Sequence, residues 1–361
     1  MTQPITATLT VNLDAIAANY HQLKDLHTKK NSAAVVKANA YGLGVEPVAR
    51  RLAKEGCETF FVATLSEAIE LRGILPNVII YVFHGIYAGE EPLFIEHNIR
   101  PVLNSMEQTA RWKPVAASNP NAKAALHVDT GMCRLGLTPY EMSSITDGQK
   151  IITECNISLL MTHLACASDP SHPLNTQQLE NFAEAKAVFS GIETSFANSS
   201  GLYLGDDYHE DLGRPGCSLY GITPRGVDNN PMQHVATLKA PIIQIRQISR
   251  DQTIGYGGTT RVSAGMKVAV ISCGYADGLH RTASHQLSGF VSEYRAKILG
   301  RVSMDMTCYD VTHIPDATLA EEAAITLISE KQTVDRVAQI CHTIGYEVFT
   351  SLSARVERIY N

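Results

Sequence analysis

An alternation constrains this chain more than any other feature. Over the first two thirds, short apolar runs are parted by amphipathic stretches of helical length. "AAVVK", "TFFVAT", "NVIIYVF", "IRPVL", "AALHVD", "ISLLMTHLA", "TSFANS" and "GCSLYG" read as strands. Between them, "NLDAIAANYHQLK" opens on Asn12 as an N-cap and repeats Leu13, Ile16, Tyr20 and Leu23 on one face. "VEPVARRLAKEG" and "SEAIELRG" end on glycine as helices commonly do, and "NTQQLENFAEAKAVFSG" is the longest segment of the set. Strands separated by helices specify βαβ units and a parallel sheet. Eight of them in about 200 residues predict an α/β fold, a (β/α)8 barrel of TIM type, rather than an open sheet. No GxGxxG follows the first strand, which argues against a dinucleotide-binding fold.

Near residue 235 the texture changes. "VATLKAPIIQIRQIS", "MKVAVISCGYADG", "YRAKILGRVSMDMTCYDV" and "AAITLIS" are short strands broken by Gly, Asp and Ser turns. The expected organisation is therefore a barrel over 12–235 and a separate, mainly-β domain over 236–361. The opening "ITATLTVNL" also alternates, and a strand over 5–11 is expected to pair into the second domain.

A net charge of −6 gives no electrostatic case for nucleic acid or an anionic membrane. No apolar run approaches the length of a membrane span, and the amino terminus has no signal-peptide pattern. The eight cysteines form no CxxC pair and no cluster, so reduced thiols and a cytoplasmic location are expected, with no metal site. "HED" at His209–Asp211 is too contiguous for three ligands to converge on one ion.

In "SAAVVKANAYGLG" a lysine, Lys37, ends an apolar run. It has two readings. The side chain snorkels out of a strand end, or it serves as an amine that is neutral or tied up as an imine. Strand ends are where barrel chemistry gathers, and Lys37, Asp129, His163, Asn198 and Ser199 all fall there.

"AVVKANAYG", "VDTGMCRLG", "MTHLA", "ANSSG", "RPGCSLYG", "IGYGG", "GYADG", "GRVSMD" and "SARVERIY" run in order through nearly the whole chain. This series resembles the motifs of the alanine racemases. The resemblance implies pyridoxal 5′-phosphate on a barrel followed by a β domain, L-/D-alanine as substrate, and a homodimer with shared active sites. It implies D-alanine supply for the cell wall or alanine catabolism as the cellular role.

By that resemblance Lys37 carries the cofactor and is one catalytic base. Tyr256 is the second, linked through His163 to Arg214, and an unperturbed tyrosine needs such help because it ionises near pH 10. Arg214 matches the arginine at the pyridine nitrogen, where a charged donor disfavours protonation of the ring. Tyr41, Ser199, Gly216, Cys217 and Tyr346 match the phosphate site, the glycine and cysteine through backbone amides, and Asn198 lies beside them. Arg134 matches the anchor of the substrate carboxylate. Met304 and Tyr275, with Asp305 next to the former, match second-domain positions lining the partner's site.

Three positions depart from the family pattern. His127 stands where many members carry a carbamylated lysine that steadies the arginine, Leu43 replaces a histidine, and Cys133 precedes Arg134. Two other readings differ at identifiable residues. A decarboxylase of the same plan would place glutamate rather than Arg214 at the pyridine nitrogen. A non-catalytic pyridoxal phosphate-binding protein would lack the second domain and Tyr256.

Overall fold

The computed structural model describes residues 6–225 and 230–361. Ile5, first residue of the expected N-terminal strand, lies outside them; the strand β1 spans Thr8–Val11.

Seven strands form one parallel sheet in chain order: β2 (Ala34–Val35), β3 (Thr59–Val62), β4 (Ile79–Val82), β5 (Arg100–Leu103), β6 (Ala124–His127), β7 (Ile157–Met161) and β8 (Glu193–Ser195). Residues 213–215 close the curl. Ala33 N–H donates to Gly213 O at 2.9 Å and Val35 N–H to Pro215 O at 3.0 Å, while Arg214 N–H donates to Ala197 O at 2.9 Å. The eighth strand position is thus "GRP" and not "GCSLYG", whose Cys217–Tyr220 form a 3-10 turn ending on left-handed Gly221. Leu219 and Tyr220 are buried, and a short apolar run can reach the core from a turn as well as from a strand.

Alternate strand positions point inward and outward. Val35, Phe61, Tyr81, Val102, Ala125, Leu159 and Met161 fill the barrel, with Phe61 stacked 4.9 Å from Tyr81 and 5.1 Å from Phe83. Outward neighbours such as Ala34, Phe60, Ile80 and Leu126 belong to the larger core that includes residues of the helix layer. Local signals set those helices. Asn12 Oδ1 accepts from Ala15 N–H at 2.9 Å ahead of the helix Leu13–Leu26, and Thr64 with Glu67 makes a capping box at Leu65–Ile74. Among the described residues no helix is long and apolar enough to cross a membrane.

The second domain is built on one long strand, β9 (Ala236–Gln247). A hairpin of β10 (Gln252–Ile254) and β11 (Thr260–Val262) follows. Then come β12 (Lys267–Ile271), β13 (Ser288–Val291), β14 (Tyr294–Leu299), β15 (Thr307–Asp310), β16 (Ala324–Ile328) and β17 (Glu357–Tyr360). The order β12-β15-β14-β13-β16-β9 returns to β12, so these six strands form a closed antiparallel barrel. The first half of β9 pairs with β1 and β16 and its far half with β12, which its length of 12 residues permits. β17 lies parallel to β1. From there Arg358 reaches the first domain, donating Nε–H to Gly42 O at 3.2 Å.

Candidate active site

Lys37 stands two residues past β2 and opens an unusual turn. Ala38, Asn39, Ala40 and Tyr41 all have positive φ, between 52° and 56°. A left-handed turn of L-residues costs about 1–2 kcal/mol per residue, so its surroundings must hold it. Glu67 Oε1 accepts from Ala38 N–H at 2.8 Å, Asn39 Oδ1 accepts from Val45 N–H at 2.7 Å, and Arg358 holds the Gly42 carbonyl. The turn sends Lys37 and Tyr41 to the same side, into one cavity of about 650 Å³.

Ten of the residues singled out in the sequence line that cavity: Lys37, Tyr41, Arg134, His163, Asn198, Ser199, Arg214, Gly216, Cys217 and Tyr346. Lys37 Nζ lies 5.7 Å above the Phe83 ring. Burial lowers the pKa of its ammonium, and the Arg134 charge lowers it further. His163 is pushed well below the usual imidazole value by burial and then by Arg214 and Arg134. Arg214 is buried and donates to Ser195 Oγ, to Thr162 O at 2.5 Å and to Phe196 O at 3.4 Å. None of these bonds uses Nε, and among the described residues no carboxylate pairs with it. Burial brings its pKa down to about 9, so it stays cationic at neutral pH.

At the other end, Ser199 Oγ accepts N–H bonds from Gly216 at 2.9 Å and Ser218 at 3.3 Å, leaving its own O–H to donate. A Cβ on Gly216 would stand 2.6 Å from Tyr41 Oη, so only glycine lets the backbone approach this phenol. Burial raises the pKa of both the Tyr41 and Tyr346 phenols, which keeps them protonated donors. Their rings meet edge-on at 6.3 Å. Asn198 turns its side chain to the backbone, accepting from Gly201 N–H at 2.9 Å.

Tyr256, Tyr275 and Met304 do not line the cavity; they stand exposed on the second domain at 69%, 43% and 53%. Within one chain the relay from Tyr256 through His163 to Arg214 is not formed, since the guanidinium bonds go to Ser195, Thr162 and Phe196.

Beneath the Arg134 loop, His127 is buried and its Nδ1 lies 2.8 Å from Asn104 Oδ1. The Asn104 amide donates to Phe83 O and Val102 O, so its oxygen faces the ring and His127 carries its proton on Nδ1. Burial, then the Arg214 charge, pushes its pKa down to about 3. Asp129 Oδ1 accepts from Gly131, Met132 and Cys133 N–H at 2.9 to 3.1 Å and so shapes the loop. Leu43 is fully buried in the core. His209 spends Nδ1 on Thr28 N–H and Nε2 on Leu202 O.

Sequence reading missed Phe83, Glu67 and Asp335. The Asp335 carboxyl lines the cavity, its pKa raised by burial, and accepts from Thr223 N–H at 3.0 Å. No local pattern marks it, because it is simply an acidic residue in the first turn of the helix Val334–Cys341.

The family models "Alanine racemase, N-terminal domain" and "Alanine racemase, C-terminal domain" match residues 11–224 and 235–360. A catabolic alanine racemase of Agrobacterium fabrum is 39% identical over 354 residues, covering 98% of this chain and 91% of the relative. The biosynthetic alanine racemase of the same organism is 40% identical over 363 residues, covering 98% and 93%. Among solved structures, alanine racemase from Bartonella henselae with covalently bound pyridoxal phosphate superposes with a TM-score of 0.92 at 35% identity. That match covers 99% of this chain and 100% of the other.

Proposed function

This chain belongs to the alanine racemase family, and from that premise we propose that it interconverts L- and D-alanine with pyridoxal 5′-phosphate, using Lys37 and the partner's Tyr256 as its two bases. The observation that carries the reading is a division of the motif residues. Ten line one cavity, whereas Tyr256, Tyr275 and Met304 are exposed and apart from it. A second copy of the chain that brings those three to the cavity mouth would complete the site.

The cavity suits this cofactor. Its phosphate end offers the Ser199 O–H, two protonated phenols and the Cys217 N–H, while the next two amides of the turn are spent on Ser199 Oγ and Gly216 O. The Gly216 amide already donates to Ser199 Oγ, so its part is to orient that hydroxyl. Lys37 supplies the amine of attachment. When bound, pyridoxal phosphate withdraws electron density through the amino-acid nitrogen and makes the Cα–H acidic.

This chain's residues handle the proton and the charges. Lys37 Nζ, biased to the neutral amine by burial, takes the Cα proton on one face. The partner's Tyr256 Oη delivers a proton to the other face, and the roles reverse for the opposite enantiomer. Two fixed bases avoid the swing that one base would need. Arg134 holds the substrate carboxylate with parallel N–H···O bonds. Arg214, a cation without a carboxylate partner, favours an unprotonated ring nitrogen and thereby the return of the proton to Cα. Neutral His127 packs under the Arg134 loop and supplies no amine for a carbamate.

Complementation tests the proposal. Lys37→Ala and Tyr256→Ala proteins should each be nearly inactive. Unfolded together in equal amounts and refolded, they should regain activity towards about a quarter of wild type, because half the dimers are mixed and each has one intact site. No recovery, with mixed dimers shown by differential tags, would overturn the shared site.

A further inference from the structure

Three loops of the second domain that carry exposed motif residues form one continuous surface. Gly255, next to Tyr256, packs on Gly300 and Arg301. Further along, Tyr275 N–H donates to Ser303 O at 3.0 Å and Ala276 N–H to Met304 O at 2.9 Å. A Cβ on Gly274 would run into the carbonyl oxygens of Ser303 and Met304, so this seam tolerates no spacing.

Backbone bonds alone leave the seam open at its outer end, where Arg355 closes it. Its Nε–H lies 3.1 Å from Asp277 Oδ1, and its Nη1 donates to Asp305 Oδ1 at 2.7 Å. Asp277 is buried, and its other oxygen accepts from Gly274 N–H at 2.8 Å. One guanidinium therefore joins the carboxylate that folds the Tyr275 loop to the carboxylate beside Met304. An exposed ion pair contributes little, but this one includes a buried carboxylate whose second oxygen has Arg355 as its cation. Arg355 is itself fixed, with its N–H on Ser353 Oγ at 3.2 Å and Ser353 N–H on Asp277 O at 3.2 Å. Four residues upstream the helix Gly345–Ser351 ends, and that helix carries Tyr346 into the cavity.

We propose that Arg355 is a positioning residue for substrate binding: bridging Asp277 and Asp305, it sets the Tyr275 and Met304 loops in the pose that completes the partner's site. The clamp touches neither Lys37 nor the phosphate donors, so it governs the fit of the amino acid and leaves cofactor retention alone. It rests on the reading that Tyr275 and Met304 serve the partner's cavity.

The test is steady-state racemisation by Arg355→Ala, Arg355→Lys, Asp305→Asn and Tyr275→Ala proteins, with cofactor content, dimer fraction and Tm measured on each. Arg355→Ala is expected to raise KM for alanine about tenfold, the scale at which an ångström of misplacement is felt, with kcat changed less. Arg355→Lys should recover part of the loss, since an ammonium reaches one carboxylate but not both in a fork. Asp305→Asn should raise KM in the same direction, and combining it with Arg355→Ala should add little. Cofactor content and dimer fraction should match wild type. An unchanged KM in Arg355→Ala beside a raised KM in Tyr275→Ala would overturn the clamp alone. An unchanged KM in Tyr275→Ala would overturn the site reading beneath it. Lowered Tm and cofactor content in Arg355→Ala, without rescue by lysine, would mark a purely structural residue and also overturn the proposal.

Discussion

Gly216→Ala is the smallest change that probes the phosphate end of the cavity. The added Cβ would stand 2.6 Å from Tyr41 Oη, where ordinary contact begins near 3.4 Å, so one group must yield by about 0.8 Å. The next obstacles, Tyr41 Cζ and Val35 Cβ, are each 3.3 Å away and need only a small shift. Tyr41 cannot retreat easily. Its ring packs 4.7 Å from Tyr220, and its backbone lies in the left-handed turn. Overpacking of this kind costs about 1–3 kcal/mol, and most of it traces to one oxygen atom.

Tyr41→Phe removes that atom. Gly216 has φ −132° and ψ −87°, and any backbone cost of alanine there is common to both backgrounds and cancels in a double-mutant cycle. The expected coupling is about 1–2 kcal/mol, or roughly 5- to 30-fold in cofactor affinity. The assay is pyridoxal phosphate binding by fluorescence to wild type, both single variants and the double variant, with Tm alongside. Gly216→Ala should bind the cofactor weakly, and its penalty should shrink in the Tyr41→Phe background. Additive losses would refute the steric account, because the oxygen would then not be the obstacle. Wild-type affinity in Gly216→Ala would refute the placement of the phosphate as well.

Other consequences follow from single groups. Stripping and restoring bicarbonate should leave the rate unchanged, as His127 offers no amine for a carbamate; a reversible loss would mean that one forms elsewhere. Arg214→Gln should slow racemisation at least tenfold, about 1.4 kcal/mol and near the low end for a lost charged hydrogen bond. It should also release pyruvate, at most about one equivalent per site because the amino group stays with the cofactor, which lactate dehydrogenase reports as NADH consumed. A slow variant that makes no pyruvate would remove the role given to that cation in reaction choice. Acid should loosen the base of the barrel. His27 donates Nε2–H to His209 O at 2.9 Å and accepts Lys29 N–H at Nδ1, and burial lowers its pKa. Because the native state resists a proton that the unfolded chain takes up near pH 6.5, this stability is present above 6.5 and is lost as pH falls towards the lowered native value. Tm should therefore fall less steeply between pH 7.5 and 5.5 in His27→Gln than in wild type, and equal slopes would exclude His27 as the proton acceptor.

The barrel was legible because its periodicity is strong. Apolar runs such as "TFFVAT" and "NVIIYVF" are buried on both faces, and Asn12 and Thr64 sit at their helix starts with the hydrogen bonds those residue types make. The closing strand was not legible. Three residues centred on Arg214 and followed closely by Gly216 carry no strand signal, while the neighbouring "CSLY" carries a misleading one. Closure there is decided by partners far away in sequence: Ala33 and Val35 on one side, Ala197 on the other.

The site divides along the same line. Residues with distinctive chemistry, such as Lys37 and Arg214, could be picked out, but the groups that make that chemistry possible are ordinary residues met through space. "KANAY" illustrates the limit. By composition it is a good right-handed helix, with two alanines and a lysine. Its four left-handed residues are held where Glu67 accepts from Ala38 N–H, Arg358 donates to Gly42 O, and Asn39 Oδ1 ties the turn to Val45 N–H at the start of the next helix. A right-handed turn would place successive side chains about 100° apart in the opposite sense. Residues four apart share a face in either hand, so the handedness decides which way that shared face of Lys37 and Tyr41 points, here into the cavity. At about 1–2 kcal/mol per residue the strain is of the order of the whole stability of a small domain. Glu67 and Asn39 hold the turn from within the first domain, and docking the β17 segment on it through Arg358 makes the rest of its support part of folding the two domains together. The amine of the first domain is thus held in place partly by the last strand of the second.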